Sequence, residues 1–197
     1  MNSVIVLILA AYLDYIIGDP WGWPHPVRVM GWIISRFSRF ALKYCHNPLI
    51  QRLAGILLGI FLVIGSGIVG YLIIQTTKSL HPLLGIAIEI ILLASCFAAK
   101  SLRVAAQTVL QPLTLGKIQD ARCTLSNYVG RDTQNLTESE ILRAVLETVT
   151  ENATDAVTAP LFYAIVGAFL PFIGPVPLAL AYKASSTLDS MVGYRQA

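Results

Sequence analysis

Apolar residues fall along this chain in long unbroken runs, not at the two-residue or three-to-four-residue spacing of half-exposed strands and helices. Leu53 to Thr77 is 25 residues without a charge, more than the roughly 20 a helix needs to cross a hydrocarbon layer. Leu83 to Ala99 adds 17, interrupted only by Glu89. Val4 to Ile17 is shorter and contains Asp14, so it reads as a tilted span with an inward carboxylate or as a buried helix; we take the first. Ala156 to Tyr182 is 27 uncharged residues broken by Pro171, Gly174, Pro175 and Pro177. Such breaks suit two half-length helices folded back as a re-entrant hairpin. The pattern predicts an all-α, polytopic helical membrane protein with one domain over 1–197. Its spans lie at about 4–18, 53–77 and 83–99, its broken apolar segment at 156–182, and its cytoplasmic loops, with amphipathic helices, at 19–52 and 100–155.

Composition agrees: 55% of residues are apolar, 13% are charged and the mean hydropathy is +0.67, which excludes an ordinary water-soluble domain. The net charge of +3 is too small to argue for nucleic acid, but its placement matters. Five Lys or Arg lie in 19–52 and six in 100–155, so the positive-inside rule puts both loops on the cytoplasmic face of the inner membrane and Met1 outside. Within the first loop, Arg28, Arg36, Arg39 and Lys43 share one face of a helical period. Met30, Ile33, Phe37, Phe40 and Tyr44 lie opposite. That stripe fits a helix lying on anionic lipid, or one packed on the spans with a solvated basic face. Cys45, Cys96 and Cys123 have neither disulfide nor zinc spacing. The N-terminus lacks the basic region and cleavage site of a secretory signal.

Two pattern matches carry little weight. Gly65-Ser-Gly-Ile-Val-Gly70 fits a dinucleotide fingerprint, but it sits inside an apolar helix, where it and Gly55/Gly59 are better explained by close helix packing. Asn135-Leu-Thr137 and Asn152-Ala-Thr154 fit glycosylation acceptors but lie in the cytoplasmic loop.

Chemistry is concentrated around residue 150. Thr137-Glu-Ser-Glu140 is a capping box that starts a helix. At about 100° per residue, Glu140, Arg143, Glu147, Glu151 and Asp155 then fall within about 120° of arc, opposite Leu142, Val145, Leu146, Val149 and Ala153. Stacked like charges weaken a helix, so Glu147, Glu151 and Asp155 point to a site for Mg²⁺ or a cationic substrate group. Upstream, Asn127-Tyr-Val-Gly-Arg-Asp-Thr133 offers Arg131 for a phosphate, with Asp132 beside it. Beyond the hairpin, Lys183 and Asp189 return to the same side. Asp19 and His25 follow the first span, and a lone histidine there is more often structural than catalytic.

Asp14 with Gly18-Asp19-Pro20 and His25-Pro26-Val27, Gly130-Arg131-Asp132-Thr133, Glu147 with Glu151-Asn152 and Asp155, Pro160-Leu-Phe162, and Tyr182-Lys183-Ala184 with Thr187-Leu-Asp-Ser-Met-Val-Gly-Tyr194 together resemble the CobD/CbiB family. These are membrane-bound adenosylcobinamide-phosphate synthases of cobalamin biosynthesis. The resemblance runs in order from the first span to the last residue. Ala156 stands where the family pattern has glycine and Ser186 where it has asparagine, and the chain reads as the N-terminal portion of a longer protein.

The resemblance implies ATP- and Mg²⁺-dependent amide ligation of (R)-1-amino-2-propanol, or its O-phosphate, to a propionate carboxylate of adenosylcobyric acid. Partners would be membrane lipid and other late cobalamin-assembly enzymes, with no nucleic acid. Under it, Glu147, Glu151, Asp155 and Asp189 are the catalytic candidates, the first three also for Mg²⁺. Asp19, His25, Arg131, Asp132, Asn152 and Lys183 are the substrate-binding candidates. Two other classes remain: an ion-coupled transporter component, and a non-catalytic scaffold for corrinoid enzymes.

Overall fold

The structure, a computed structural model, describes residues 3–18 and 25–193, and among them it is all-helical. Nine α-helices follow in order: α1 Ser3–Ile16, α2 Pro26–Tyr44, α3 Pro48–Leu80, α4 Pro82–Ala94, α5 Ala99–Thr114, α6 Ile118–Leu125, α7 Glu138–Ala153, α8 Ala159–Ala168 and α9 Pro175–Val192. A π-helical turn, Thr154–Thr158, joins α7 to α8.

Three helices begin with the same local device. His25-Pro26, Asn47-Pro48 and His81-Pro82 each put a capping side chain before a proline, whose fixed φ and missing N–H suit the first helical position. His25 Nδ1, Asn47 Oδ1 and His81 Nδ1 accept from the N–H of Val27, Leu49 and Leu83 at 3.3, 2.9 and 3.2 Å. The expected capping box at α7 is present: the Thr137 N–H donates to Glu140 Oε2 at 2.7 Å, and Thr137 Oγ1 accepts from the Glu140 N–H at 3.4 Å.

The helices pack around two cores. The larger joins α1, α2, α3, α4, α8 and α9 through Val6, Ala10, Ile34, Leu62, Leu93, Ala164 and Leu180. The smaller joins α5, α6 and α7 through Val109, Leu125, Ile141 and Ala144. Pro48–Leu80, and Pro82–Thr114 if α4 and α5 are taken together, are long and apolar enough to cross a membrane, and most of the first stays uncovered. Leu53, Leu57, Phe61 and Ile64 are among its exposed side chains, a surface suited to hydrocarbon and not to water. The third expected span, 83–99, is shorter as a helix. It ends at Ala94, and α5 starts anew at Ala99.

Three glycines of α3, Gly59, Gly67 and Gly70, serve packing as expected of a helix–helix contact. A Cβ on Gly70 would stand 2.6 Å from Leu180 Cδ1, and one on Gly67 would stand 3.3 Å from the Pro177 carbonyl. Ser66 Oγ donates across the same crossing to the Leu180 carbonyl at 3.3 Å. Gly55 and Gly65 face open space.

The acidic residues inside apolar runs are structural. Asp14 is 2% exposed, and its Oδ2 accepts from the Ala99 N–H at 2.8 Å, capping α5 from a different helix because Ala98 offers no side chain to do so. Lys100 Nζ in return donates to the Ile16 and Ile17 carbonyls at 2.7 and 2.9 Å, closing the negative end of α1. Glu89 pairs with Lys78 at 2.9 Å. None of Cys45, Cys96 and Cys123 is in a disulfide.

Candidate functional site

The broken segment folds back on itself: α8 and α9 lie side by side, joined through Phe169–Gly174, with Gly174 at φ 81°. A Cβ on Gly167 would meet Gly174 and Pro175 backbone, Pro175 Cα at 2.9 Å among it. Only glycine lets the two arms approach this closely. The closure brings the end of α7 beside the middle of α9.

Between the two cores lies a cleft of about 680 Å³. Arg131 enters from the α6–α7 loop, Glu147, Thr148, Glu151 and Asn152 from α7, Asp155 from the π turn, and Lys183, Ser186, Thr187 and Asp189 from α9. Seven of the ten expected site residues, Arg131 among them, therefore meet across about 60 residues of sequence. The loop is held to α6, as Thr133 Oγ1 donates to the Arg122 carbonyl at 2.9 Å and Arg122 Nε to the Leu136 carbonyl at 2.8 Å. Thr133 is buried, so Arg131 projects from an anchored turn.

The other expected residues lie elsewhere. His25 caps α2 and lines a separate apolar pocket of about 360 Å³ beside Met30, Phe61 and Ser66. Asp132 is exposed, and its Oδ1 accepts from the Gln134 N–H at 2.9 Å, which makes it a turn residue. Asp19 lies outside the described residues.

The acidic face differs from the expected one. Glu147 is clamped by two guanidinium groups, Arg143 Nε at 2.7 Å and Arg131 Nη2 at 3.3 Å. The Arg143 hydrogen bond, foremost, and both positive charges hold its carboxyl below the ordinary glutamate range. Asp155 leaves the register because the chain widens into the π turn at Thr154. Proline explains the widening: Pro160 has no N–H for the Ala156 carbonyl, and its ring crowds that carbonyl. The Ala156 carbonyl accepts instead from the Ala98 N–H at 3.0 Å, and the Ala159 N–H reaches back five residues to Thr154.

Glu147, Glu151 and Asp155 therefore line one cleft without converging on one ion. No group of three His, Cys, Asp or Glu side chains among the described residues is placed to hold a metal. What remains is a row of hard oxygen donors, suited to a cation that arrives bound to phosphate, since Mg²⁺ commonly takes one or two carboxylates with phosphate oxygens and water.

Two features went unread in the sequence. Tyr182 donates its hydroxyl to Asp155 Oδ1 at 3.0 Å, and its ring stacks on Tyr163 at 5.0 Å between centroids. Arg143, one helical turn before Glu147, supplies the charge that the acidic face needed. Pro160, four residues after Ala156, was the available sign that the helical register would break.

The family model described as CobD/Cbib protein matches residues 7–197. The chain is 49% identical over 194 residues to the protein named cobalamin biosynthesis protein CobD of Synechocystis sp., covering 98% of this chain and 57% of that one. It is 40% identical over 193 residues to the CobD protein of Citrobacter koseri, and 39% over 193 residues to cobalamin biosynthesis protein CbiB of Salmonella typhimurium. In both cases 98% of this chain and 58% of the relative are covered. The chain thus spans under three fifths of these relatives' length. No solved structure matches it. With nearly its whole length matched in sequence order, the chain belongs to the CobD/Cbib protein family.

Proposed function

We propose that the chain is the N-terminal part of a membrane-embedded amide ligase of cobalamin biosynthesis. It joins the amine of (R)-1-amino-2-propanol, or of its O-phosphate, to a propionate carboxylate of adenosylcobyric acid at the expense of ATP. The observation that carries this reading is the single cleft in which Arg131 and Lys183 stand with Glu151, Asn152, Asp155 and Asp189. A reaction between two anions and a cationic amine needs both signs of charge in one place.

The carboxylate is first made electrophilic: its oxygen takes the γ-phosphoryl group of ATP, giving an acyl phosphate and ADP. The amine nitrogen then attacks the carbonyl carbon, the C–N bond forms, the C–O bond to phosphate breaks and phosphate leaves. Arg131 and Lys183 contact phosphate or carboxylate oxygens. Glu147, held by Arg143, aims Arg131 and takes no proton itself. Asp155 receives the ammonium, Glu151 or Asp189 accepts the proton it must lose before attack, and Asn152 orients the substrate. Mg²⁺ entering with ATP would be held by Glu151, with Asp189 then left to take the proton, and it would supply neutralisation of phosphoryl charge.

The cleft faces the cytoplasm in this reading, with α3 crossing the bilayer. The second half of α2 rests on the leaflet, where exposed Phe40 and Tyr44 accompany Arg39 and Lys43. The first half of α2 packs on the bundle through Met30 and Ile34. Ion-coupled transport is less well supported, because Asp14 and Glu89, the acidic residues deepest in apolar runs, are engaged in a helix cap and an ion pair. The test is mass-resolved product formation by the full-length protein in detergent, from adenosylcobyric acid, ATP, Mg²⁺ and aminopropanol phosphate. Adenosylcobinamide phosphate is the expected product, and its absence from folded, corrinoid-bound protein would favour the scaffold or transporter.

A further inference from the structure

The widened turn that takes Asp155 off the acidic face delivers it to Tyr182. The hydroxyl stands 3.0 Å from Asp155 Oδ1, short enough for a hydrogen bond to an anion. Tyr182 is itself fixed: its ring stacks on Tyr163 of α8 with planes 19° apart, and its backbone belongs to α9, which packs along α3. The turn is tied from the other side by the bond from the Ala98 N–H to the Ala156 carbonyl. An exposed aspartate on a helix ordinarily samples several rotamers. This one is held between a stacked phenol and a tethered backbone while it still lines the cleft.

We propose that Tyr182 is a positioning residue that fixes the Asp155 carboxylate to receive the cationic amine, so that Tyr182 acts on the reaction only through Asp155. This rests on the ligase reading above. The phenol oxygen engages one carboxylate oxygen and leaves the second for the ammonium. A bare carboxylate would have to order itself on each encounter, and positional loss of that kind is costly to rate.

The experiment uses full-length protein in four forms: wild type, Tyr182→Phe, Asp155→Asn and the double variant. Tyr182→Phe keeps the ring and its stack on Tyr163 and removes only the hydroxyl. Loss of a hydrogen bond to a charged group predicts a fall of roughly tenfold or more in kcat/KM for aminopropanol phosphate. KM for ATP and the thermal midpoint in detergent should stay unchanged. In the Asp155→Asn background the same change should do nothing further, because the group it positions is gone. Additive effects, an unaltered Tyr182→Phe enzyme, or a variant that loses affinity for every substrate together with its thermal midpoint would each overturn the proposal. If the wild type forms no product, the ligase reading fails by itself. Calorimetric binding of aminopropanol phosphate to the four proteins then decides the positioning role by the same non-additivity, and a wild type that does not bind the amine removes it.

Discussion

Substituting Gly167 by alanine tests whether the close α8–α9 approach is what assembles the cleft. The added Cβ would lie 2.9 Å from Pro175 Cα and 3.0 Å from Gly174 carbonyl carbon, where an ordinary contact begins near 3.4 Å. These neighbours are backbone atoms at a turn, so no side chain can swing away. The Gly174 carbonyl oxygen lies closer still, so the arms must part by at least about 0.5 Å, at a cost of about 1–3 kcal/mol for overpacking. Helix α9 carries the shift along its length. Tyr182 is seven residues past Pro175, about 10 Å along the helix, so the hydroxyl to Asp155 would lengthen from 3.0 Å to about 3.5 Å, past the useful range for O–H···O bonds. The assays are the thermal midpoint in detergent and amine kcat/KM in full-length protein, with Gly65→Ala as control because nothing lies within 4 Å of that added Cβ. We expect a lowered midpoint and a loss of roughly tenfold or more in kcat/KM for Gly167→Ala, with neither for Gly65→Ala. Wild-type values for both in Gly167→Ala would refute the idea that this contact sets the cleft.

Removing the Asp14 carboxylate as Asp14→Ala leaves the half-buried Ala99 N–H without its acceptor and should cost about 1 kcal/mol or more, measured as a lower urea or thermal midpoint in detergent. Arg143→Met should free Glu147 to draw Arg131 alone and weaken phosphate recognition, read as a raised KM for aminopropanol phosphate against an unchanged KM for unphosphorylated aminopropanol. Thr137→Ala should cost about 1 kcal/mol through loss of the α7 cap, seen as faster amide exchange in the first turn of α7. The pH dependence follows from Glu140, whose carboxyl is held below its ordinary value chiefly by the Thr137 backbone N–H. A group depressed in the folded state stabilises it above the unfolded value and ceases to do so as pH falls through the folded one. Corrected for the slower intrinsic exchange in acid, the protection factor in the first turn of α7 should therefore fall below about pH 4.5, and Glu140→Gln should flatten that dependence.

The fold was largely legible because its main signals are local. Uncharged runs marked α3 and α4, four helix breakers marked the α8–α9 turn, and the Thr137–Glu140 box marked the start of α7. The misreadings are of another kind. The three-carboxylate face assumed an unbroken 100° step, which Pro160 and the distant Ala98 N–H together interrupt. His25 was weighed as structural more than catalytic, and the cap it forms before Pro26 is such a role. Asp14 drew notice as an acid in an apolar run, but its partner is a backbone N–H, which no side-chain pattern can advertise. The membership of Arg131, Lys183 and Asp189 in one cleft was readable only through the hairpin.

The bond between Asp14 and Ala99 also sets an order of events during synthesis. Its two ends are 85 positions apart, and at roughly 5–20 residues per second the acceptor precedes its donor by about 4–17 s. Over that interval α2, α3 and α4 are made before the contact that locks α1 to α5 can exist. The first helix must therefore wait for that tie until α5 is made, and the α5–α7 unit is joined to the bundle only afterwards. Slowing elongation between codons 14 and 99 should prolong that vulnerable stage, when α1 is most open to a membrane protease.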